Sequence, residues 1–282
     1  MQLSEVIERN VEAALAEDMG SGDITAQLIP RQDQAYGSVI SRDLCVLCGS
    51  AWFDACFKKL DAKAEIRWLA HDGESVSPNQ MLCEIRANAR AMLSAERPAL
   101  NFLQTLCAVA TATRRYVEAV AGTGVAIMDT RKTLPGLRLA QKYAVQTGGG
   151  VNQRVGLYDG ILIKENHIAA AGGVSQTLQQ AAAIAPPGMS IQIEVESLRE
   201  LRQALDAGAK CILLDNFTLK RLREAVAITA GRAVLEASGG ITLKNVRAIA
   251  ETGVERISIG SLTKDVKAVD LSMRFTSPRA LF

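Results

Sequence analysis

The stretch IQIEVESLRELRQALDAGAKCILLDNF, residues 191–217, contains a strand, a helix and a second strand in succession. The runs Ile191–Glu196 and Cys211–Asp215 are short and apolar, as buried strands are. Between them, Leu198–Ala207 carries apolar residues at helical spacing. This order predicts two neighbouring strands of a parallel sheet.

The same alternation extends in both directions along the chain. A helix is predicted at Leu219–Ile228, and the further strands are Val125–Asp129, Ile161–Lys164, Ala233–Ser238 and Arg256–Gly260. Repeated strand and helix units of this length predict a parallel sheet, and periodicity leaves open whether it is open or closed into a barrel. No GxGxxG motif follows a strand and no Walker A motif occurs, which argues against the nucleotide-binding folds that use them.

The first part of the chain has a different pattern. Met1–Gly20 is amphipathic, and short strand-like runs follow at Gly37–Ile40, Val46–Cys48, Ala64–Ala70 and Met81–Arg86. Turn signals separate these runs, which predicts a compact α+β domain. A long helix is predicted from Ser94 to about Val120, with Pro98 in its first turn.

Composition limits the classes of function. The chain has 282 residues, 48% of them hydrophobic, and a net charge of +2, so it can bury a sizeable core. It contains no block of Lys and Arg, and we expect no nucleic-acid partner. No stretch of about 18 apolar residues occurs, and the N-terminus lacks the pattern of a signal peptide. We therefore expect a cytoplasmic protein that does not enter a membrane.

Six cysteines are present, and two of them, Cys45 and Cys48, form a CxxC motif. No second CxxC and no nearby histidine completes a four-ligand zinc site. We predict that these cysteines are small buried hydrophobic residues.

The carboxyl ends of the predicted strands are rich in polar residues. Six successive strands end in charged residues, hydroxyls or glycine, at Asp129–Lys132, Lys164–His167, Glu194–Glu196, Asp215–Asn216, Glu236–Ser238 and Gly260–Ser261. Barrel enzymes place their catalytic groups at the C-terminal ends of their strands, so the pattern predicts one shared site there.

The charges near this predicted site are sorted by sign along the chain. A basic cluster suits an anionic substrate, because arginine binds carboxylate or phosphate through two parallel hydrogen bonds. Its members are Arg131, Lys132, Arg138, Lys142, Arg154 and Lys164. Acids on the later strands suit Mg²⁺ or sugar hydroxyls, and they are Glu194, Glu196, Asp215 and Glu236.

Some of these residues also have structural explanations. Arg138 and Lys142, four residues apart on a predicted helix, fit a solvated face equally well. Lys164 follows an apolar run, which predicts burial and an anionic partner. His167 is expected to be structural rather than a base. Glycines that let the backbone approach a ligand closely are Gly148–Gly150, Gly239–Gly240 and Gly260.

The sequence resembles the quinolinate phosphoribosyltransferases, also called nicotinate-nucleotide pyrophosphorylases (carboxylating). The matching motifs, in the family's order, are DTRKTLPGLR at 129–138, KYAV at 142–145, GGG at 148–150, NQRVGLYD, LIKENH, EVE, LLDNF, LEASGGI, SIGSLTK and DLSMRF. GDIT at 22–25 and ERPALNFLQ at 96–104 also match. The resemblance covers nearly the whole chain.

This resemblance implies an α/β fold. It consists of an N-terminal α+β sandwich-like domain, expected at 1–112, and an incomplete parallel α/β barrel with fewer than eight strands, expected at 113–265. The C-terminal segment, 266–282, would return to the first domain. The resemblance also implies a homodimer in which Arg97 of one subunit reaches the site of its partner.

The family joins quinolinate to the ribosyl group of phosphoribosyl pyrophosphate, and it releases pyrophosphate and carbon dioxide to give nicotinate mononucleotide for NAD biosynthesis. By resemblance, the quinolinate carboxylates would be held by Arg131, Arg154 and Lys164. Phosphoribosyl pyrophosphate would face Lys132 and a Mg²⁺ ion on Glu194 and Asp215. Other expected substrate contacts are Thr133, Gln153, Ser238, Gly239, Gly240, Gly260 and Ser261. The catalytic residues would be Lys132, Lys164, Glu194 and Asp215.

One position departs from the family's pattern. Where the family commonly reads Asn-His-Arg, this chain reads Asn152-Gln153-Arg154. The histidine would help to bind a quinolinate carboxylate, whereas Gln153 can donate a neutral hydrogen bond worth about 0.5–1.5 kcal/mol and carries no charge. We expect a working enzyme with weaker quinolinate binding and less pH dependence near neutrality.

Three other functions fit parts of the sequence. A phosphoribosyltransferase of the same architecture could act on another anionic aromatic acid, with Gln153 as the sign of changed specificity. Lys164 at a strand end could serve a Schiff-base lyase. A non-catalytic metabolite-binding subunit fits less well, because it would not need Glu194, Asp215 and the glycines.

Overall fold

The computed structural model describes residues 2–276, which form two compact units. The first unit contains the chain up to Ala112, Leu134–Gly148 and the chain from Asp265, and the second contains Thr113–Thr133 and Gly149–Lys264. The sequence predicts Leu134–Gly148 in the barrel domain, but the structure places it in the first unit. The reason is that Ala140, Ala144 and Val145 pack into the first unit's core.

The helices and strands are numbered along the chain. The helices are α1 (Leu3–Met19), α2 (Ser50–Leu60), α3 (Ala89–Ala119), α4 (Arg138–Thr147), α5 (Glu165–Ala171), α6 (Val174–Ile184), α7 (Leu198–Asp206), α8 (Leu219–Thr229), α9 (Val246–Ala250) and α10 (Ser261–Lys264). The strands are β1 (Gln34–Ser41), β2 (Cys45–Val46), β3 (Glu65–Trp68), β4 (Ser75–Val76), β5 (Met81–Asn88), β6 (Ala126–Met128), β7 (Ile161–Ile163), β8 (Ile191–Val195), β9 (Cys211–Asp215), β10 (Val234–Ser238), β11 (Arg256–Ser258) and β12 (Leu271–Thr276).

The first unit is built on a four-stranded antiparallel sheet in the order β12-β1-β5-β3. Pairing of β12 with β1 brings the C-terminal segment back to the first unit, and its last residues, 277–282, lie outside the described residues. Helix α1, which lies in the predicted amphipathic segment, buries Val6, Val11 and Leu15.

Five of the six cysteines are buried, and all six are free thiols. Cys48 and Cys107 contact each other through a backbone hydrogen bond, since the Cys48 N–H donates to Cys107 Sγ at 3.2 Å. Burial raises the pKa of Cys56 to about 12. The predicted burial of Cys45 and Cys48 is confirmed.

Helix α3 begins earlier than the sequence predicts. It starts at Ala89 rather than Ser94, so Pro98 lies inside the helix and not in its first turn. The side-chain oxygen of Asn88 accepts hydrogen bonds from the N–H groups of Arg90 and Ala91, at 3.1 and 3.3 Å. Asn88, at the end of β5, thus caps the helix. The predicted start at Ser94 was wrong by more than one helical turn.

The second unit contains a six-stranded parallel sheet in the order β6-β11-β10-β9-β8-β7. Strands β7 to β11 are neighbours in chain order, and β6 lies beside β11. This is the order of an α/β barrel that is open between β6 and β7. The predicted incomplete barrel with fewer than eight strands is therefore confirmed. Within residues 2–276, no helix is both long and apolar enough to cross a membrane.

Candidate active site

The register of the parallel sheet brings the predicted strand ends to one level. Asp215 is paired with Ser238, while Leu213 lies between Glu194 on β8 and Glu236 on β10. Side chains two residues apart on a strand point to the same face, so each strand contributes two successive side chains to this face.

A cleft of about 420 Å³ opens at these strand ends. Its lining residues all belong to the second unit, and they are Thr130, Arg131, Lys132, Gln153, Arg154, Leu162, Lys164, Glu194, Leu213, Asp215, Glu236, Ser238 and Ser258. The structure brings together in this lining the predicted site residues Arg131, Lys132, Gln153, Arg154, Lys164, Glu194, Asp215 and Ser238.

Five other predicted residues belong to the same unit but are not in the lining: Thr133, Gly239, Gly240, Gly260 and Ser261. Gly260 has a steric role, because a Cβ there would lie 3.0 Å from Lys132 Cδ. The Lys132 backbone is held nearby, since its carbonyl accepts a hydrogen bond from Thr263 Oγ1 at 2.7 Å.

Three basic residues from the sequence prediction lie in the first unit. Arg97 is exposed on α3. Arg138 and Lys142 lie on α4, where Lys142 is only 1% exposed. A solvated face is therefore the wrong description of Lys142.

Two arginines in the cleft repel each other. Burial and the neighbouring charge of Arg131 lower the pKa of Arg154 from its ordinary value. The Arg154 side chain is oriented by a hydrogen bond from its Nη1 to the carbonyl of Gly160, at 3.0 Å. An anion bound by both guanidinium groups would relieve this repulsion, and guanidinium groups suit carboxylates in particular.

Lys164 forms an ion pair with Glu194, with 3.3 Å between Nζ and Oε2. The expected burial of Lys164 was wrong, since its side chain is 47% exposed. The reason is that Lys164 lies just beyond β7, an edge strand of the sheet. The expected anionic partner is present as Glu194. Burial raises the pKa of Glu194, and the charge of Lys164 opposes that rise.

His167 has a structural contact, as the sequence predicts. Its Nδ1 accepts a hydrogen bond from the backbone N–H of Lys164 at 2.9 Å, at the start of α5. This bond holds the turn that follows β7.

A buried polar cluster lies at the wall of the cleft, formed by Gln153, Gln192 and Glu236. Gln153 Nε2 donates to Glu236 Oε1 and Oε2 at 2.9 and 2.7 Å, and to Gln192 Oε1 at 3.1 Å. Gln192 Nε2 donates to Glu236 Oε2 at 2.9 Å. Glu236 is 1% exposed, so these neutral amides supply hydrogen bonds to a buried carboxylate. The side-chain N–H groups of Gln153 are directed at protein acceptors.

Several lining residues were not assigned to the site from the sequence. They share a spacing of two residues with a predicted strand-end residue, a signal that was available, and they are Leu162, Leu213, Glu236 and Ser258. Glu236 was recognised only as one of several acids. The contact between Gln153 and Glu236 joins residues 83 positions apart, and no local pattern predicts it.

Two family models match the chain in succession. The N-terminal domain of quinolinate phosphoribosyl transferase matches residues 23–107, and its C-terminal domain matches residues 109–274. The chain belongs to the quinolinate phosphoribosyltransferase family. The second match includes every residue in the lining of the cleft.

Individual members of the quinolinate phosphoribosyltransferase family are similar to this chain over most of their length. The probable nicotinate-nucleotide pyrophosphorylase [carboxylating] of Bacillus subtilis is 40% identical over 92% of this chain and 90% of its own. The nicotinate-nucleotide pyrophosphorylase [carboxylating] of Mycobacterium leprae is 40% identical over 93% of this chain and 95% of its own. The structure of the nicotinate-nucleotide pyrophosphorylase from Francisella tularensis superposes with a TM-score of 0.94, at 42% identity and 98% coverage of both chains.

Proposed function

We propose that this protein is a quinolinate phosphoribosyltransferase (decarboxylating), a pentosyltransferase of NAD biosynthesis. It converts quinolinate and phosphoribosyl pyrophosphate to nicotinate mononucleotide, carbon dioxide and pyrophosphate. The observation that carries this proposal is the cleft, which combines four cationic side chains with carboxylates in a chain of this family.

Quinolinate carries two adjacent carboxylates, and the cationic part of the cleft suits them. Arg131 and Arg154 are close enough to repel each other, and Lys164 lies in the same lining. We assign these three side chains to the quinolinate carboxylates. Fixed cations let two anionic reactants bind side by side, although they repel each other in water.

Phosphoribosyl pyrophosphate is assigned to the other part of the cleft. Lys132 and Ser238, in the lining, supply a positive charge and a hydroxyl. Further hydroxyl and backbone N–H donors are assigned to residues of the same unit outside the lining, Thr133, Gly239, Gly240, Gly260 and Ser261. Gln153 is assigned to the quinolinate side, next to Arg154. Backbone N–H groups near glycine suit phosphate, because no Cβ blocks the approach.

Glu194 and Asp215 are the proposed ligands of Mg²⁺. They line the same cleft, and the charge of Asp215 contributes to raising the pKa of Glu194, so the two carboxylates are close. Within residues 2–276, no group of three or more His, Cys, Asp or Glu side chains is arranged to hold a metal. Two carboxylates fit Mg²⁺, which usually keeps several waters and binds substrate phosphates as well. When bound, the ion would neutralise charge on the departing pyrophosphate.

In the proposed reaction, the ring nitrogen of quinolinate attacks C1 of the ribose, and the bond from C1 to the pyrophosphate oxygen breaks. Positive charge develops on the sugar, and Glu194 and Asp215 provide negative charge near it, while Lys132 stabilises the leaving oxygens. The ring nitrogen of the intermediate is cationic. As carbon dioxide leaves, the electron pair of the broken bond stays on C2, where the adjacent cationic nitrogen stabilises it, and C2 then takes a proton from solvent. Lys164 holds the substrate during both steps.

The assembly is also part of the proposal. We assign a homodimer in which Arg97 of the partner subunit completes the quinolinate site; its exposed position on α3 leaves it available for such a contact. Mixing inactive Arg97→Ala and Lys164→Ala chains should then restore part of the activity, and no recovery would contradict a shared site. We also propose a cytoplasmic location, since six free thiols are typical of a reducing compartment.

The assignment of the arginines is tested by replacing each with lysine, which keeps the charge but loses the two-pronged hydrogen bond. Arg131→Lys and Arg154→Lys should raise KM for quinolinate about tenfold or more, which corresponds to a loss of about 1.4 kcal/mol of binding free energy. KM for phosphoribosyl pyrophosphate should change little. Arg199→Lys is the matched control, because Arg199 is exposed on α7. Turnover of nicotinate in place of quinolinate by the wild-type protein would contradict the proposed substrate.

A further inference from the structure

Asn216, the residue after Asp215, has an unusual backbone conformation. Its φ is +56°, and only two other non-glycine residues in the described part of the chain have a positive φ. The left-handed region disfavours most residues, but asparagine tolerates it better than others. The turn after β9 therefore favours asparagine or glycine.

The side chain of Asn216 contacts the proposed metal ligand. Its Nδ2 donates a hydrogen bond to Asp215 Oδ2 at 2.7 Å. This bond uses one carboxylate oxygen of Asp215, and the lone pairs of Oδ1 remain for a metal ion or a ribose hydroxyl. The amide thus limits the rotation of the Asp215 carboxylate.

Asn216 also contacts the segment that follows β10. Its backbone N–H donates to the carbonyl of Ser238 at 2.9 Å. A Cβ at Gly239 would overlap Asn216 Oδ1 and would lie 3.0 Å from the Asn216 nitrogen. Gly239 is therefore required next to Asn216, and its own φ of +97° favours glycine too.

We propose that Asn216 is a positioning residue for phosphoribosyl pyrophosphate. It joins Asp215, assigned to Mg²⁺, to Ser238 and Gly239, assigned to phosphate, and it holds the two groups at a constant separation. The inference rests on the proposed function, because both assignments belong to it. Asn216 is exposed, so its side chain contributes little to the core.

Asn216→Gly tests this role, because glycine adopts a positive φ without strain and only the amide is lost. The matched control is Asn79→Gly in the first unit, where the asparagine is also exposed and has a φ of 65°. Calorimetry with phosphoribosyl pyrophosphate and Mg²⁺ measures binding without turnover. We expect the Kd to rise about tenfold or more in Asn216→Gly, as the loss of one hydrogen bond to a charged group implies. The Kd should stay within about twofold of wild type in Asn79→Gly.

Thermal unfolding of both variants separates positioning from a general structural role. Equal Tm values with a raised Kd only in Asn216→Gly support the inference, and Gly239→Ala should raise the Kd in the same way. An Asn216→Gly Kd equal to that of wild type overturns it, and so does an equal rise in the quinolinate Kd. If the wild-type protein binds no phosphoribosyl pyrophosphate, the proposed function fails as well.

Discussion

The buried cluster of Gln153, Gln192 and Glu236 makes a measurable prediction about stability. Gln153→Glu keeps the shape of the side chain but replaces the donor Nε2 with an acceptor oxygen. Three contacts of 2.7, 2.9 and 3.1 Å are lost. A hydrogen bond to a charged group contributes about 1.5–3 kcal/mol. The new carboxylate also faces Glu236, and two carboxylates at such a distance cannot both be charged without a large cost. We expect the free energy of unfolding of Gln153→Glu to be about 3 kcal/mol lower than that of wild type at pH 8.

The effect of pH follows from the same contact. Repulsion and burial raise the pKa of the new carboxyl pair above the unfolded value of about 4.3. A group whose folded pKa is raised stabilises the folded state fully below its unfolded pKa, and this contribution is lost as pH rises through the folded pKa. The stability of Gln153→Glu should therefore approach that of wild type at about pH 5 and fall behind it at about pH 8.

Thermal unfolding across this pH range is the assay. A loss of about 3 kcal/mol corresponds to a decrease in Tm of about 6–12 °C for a protein of this size class. Gln203→Glu is the matched control, because Gln203 is exposed on α7 and the chemical change is the same. A decrease in Tm no larger than that of Gln203→Glu, or one that does not change with pH, would refute the reasoning.

Three further predictions concern single residues. Gln153→His places an imidazole beside Glu236, whose charge should raise the pKa of the ring. KM for quinolinate should then fall about threefold or more near pH 6.5. Unchanged KM at every pH would contradict the expectation that Gln153 weakens quinolinate binding. Cys211 is the cysteine that is only partly buried, so Cys211→Ser should remove the fast reaction of the native protein with a thiol reagent; a persistent fast phase would show another accessible thiol. Hydrogen bonds from the Ala26 N–H and Ser94 Oγ lower the pKa of Asp23, so its contribution to stability is lost as pH falls; the Tm difference between wild type and Asp23→Asn should shrink between about pH 5 and 3.

Much of the barrel was predictable because each strand and helix has a local signal. The runs Ile191–Glu196 and Cys211–Asp215 differ from the observed β8 and β9 by at most one residue. The polar strand ends also predicted one shared face, and the structure gathers eight of the predicted residues there. Local periodicity was sufficient for both conclusions, because parallel strands carry their carboxyl ends to the same edge.

The sequence failed where long-range packing decides the outcome. Residues 134–148 follow a barrel strand, yet α4 packs in the core of the first unit, and no local pattern within this segment indicates that packing. Lys164 follows an apolar run but lies beyond an edge strand, so its side chain remains half exposed. The partners of Gln153 come from β8 and β10, and only the folded sheet brings them together.

The most direct test of the central claim is a stoichiometric one. Purified protein, Mg²⁺, phosphoribosyl pyrophosphate and quinolinate labelled in its C2 carboxylate are incubated together, and nicotinate mononucleotide and labelled carbon dioxide are measured. The proposed function predicts that the two products appear in equal amounts and that removing Mg²⁺ with a chelator stops both. Folded protein that forms neither product, or releases carbon dioxide without forming the nucleotide, would contradict it.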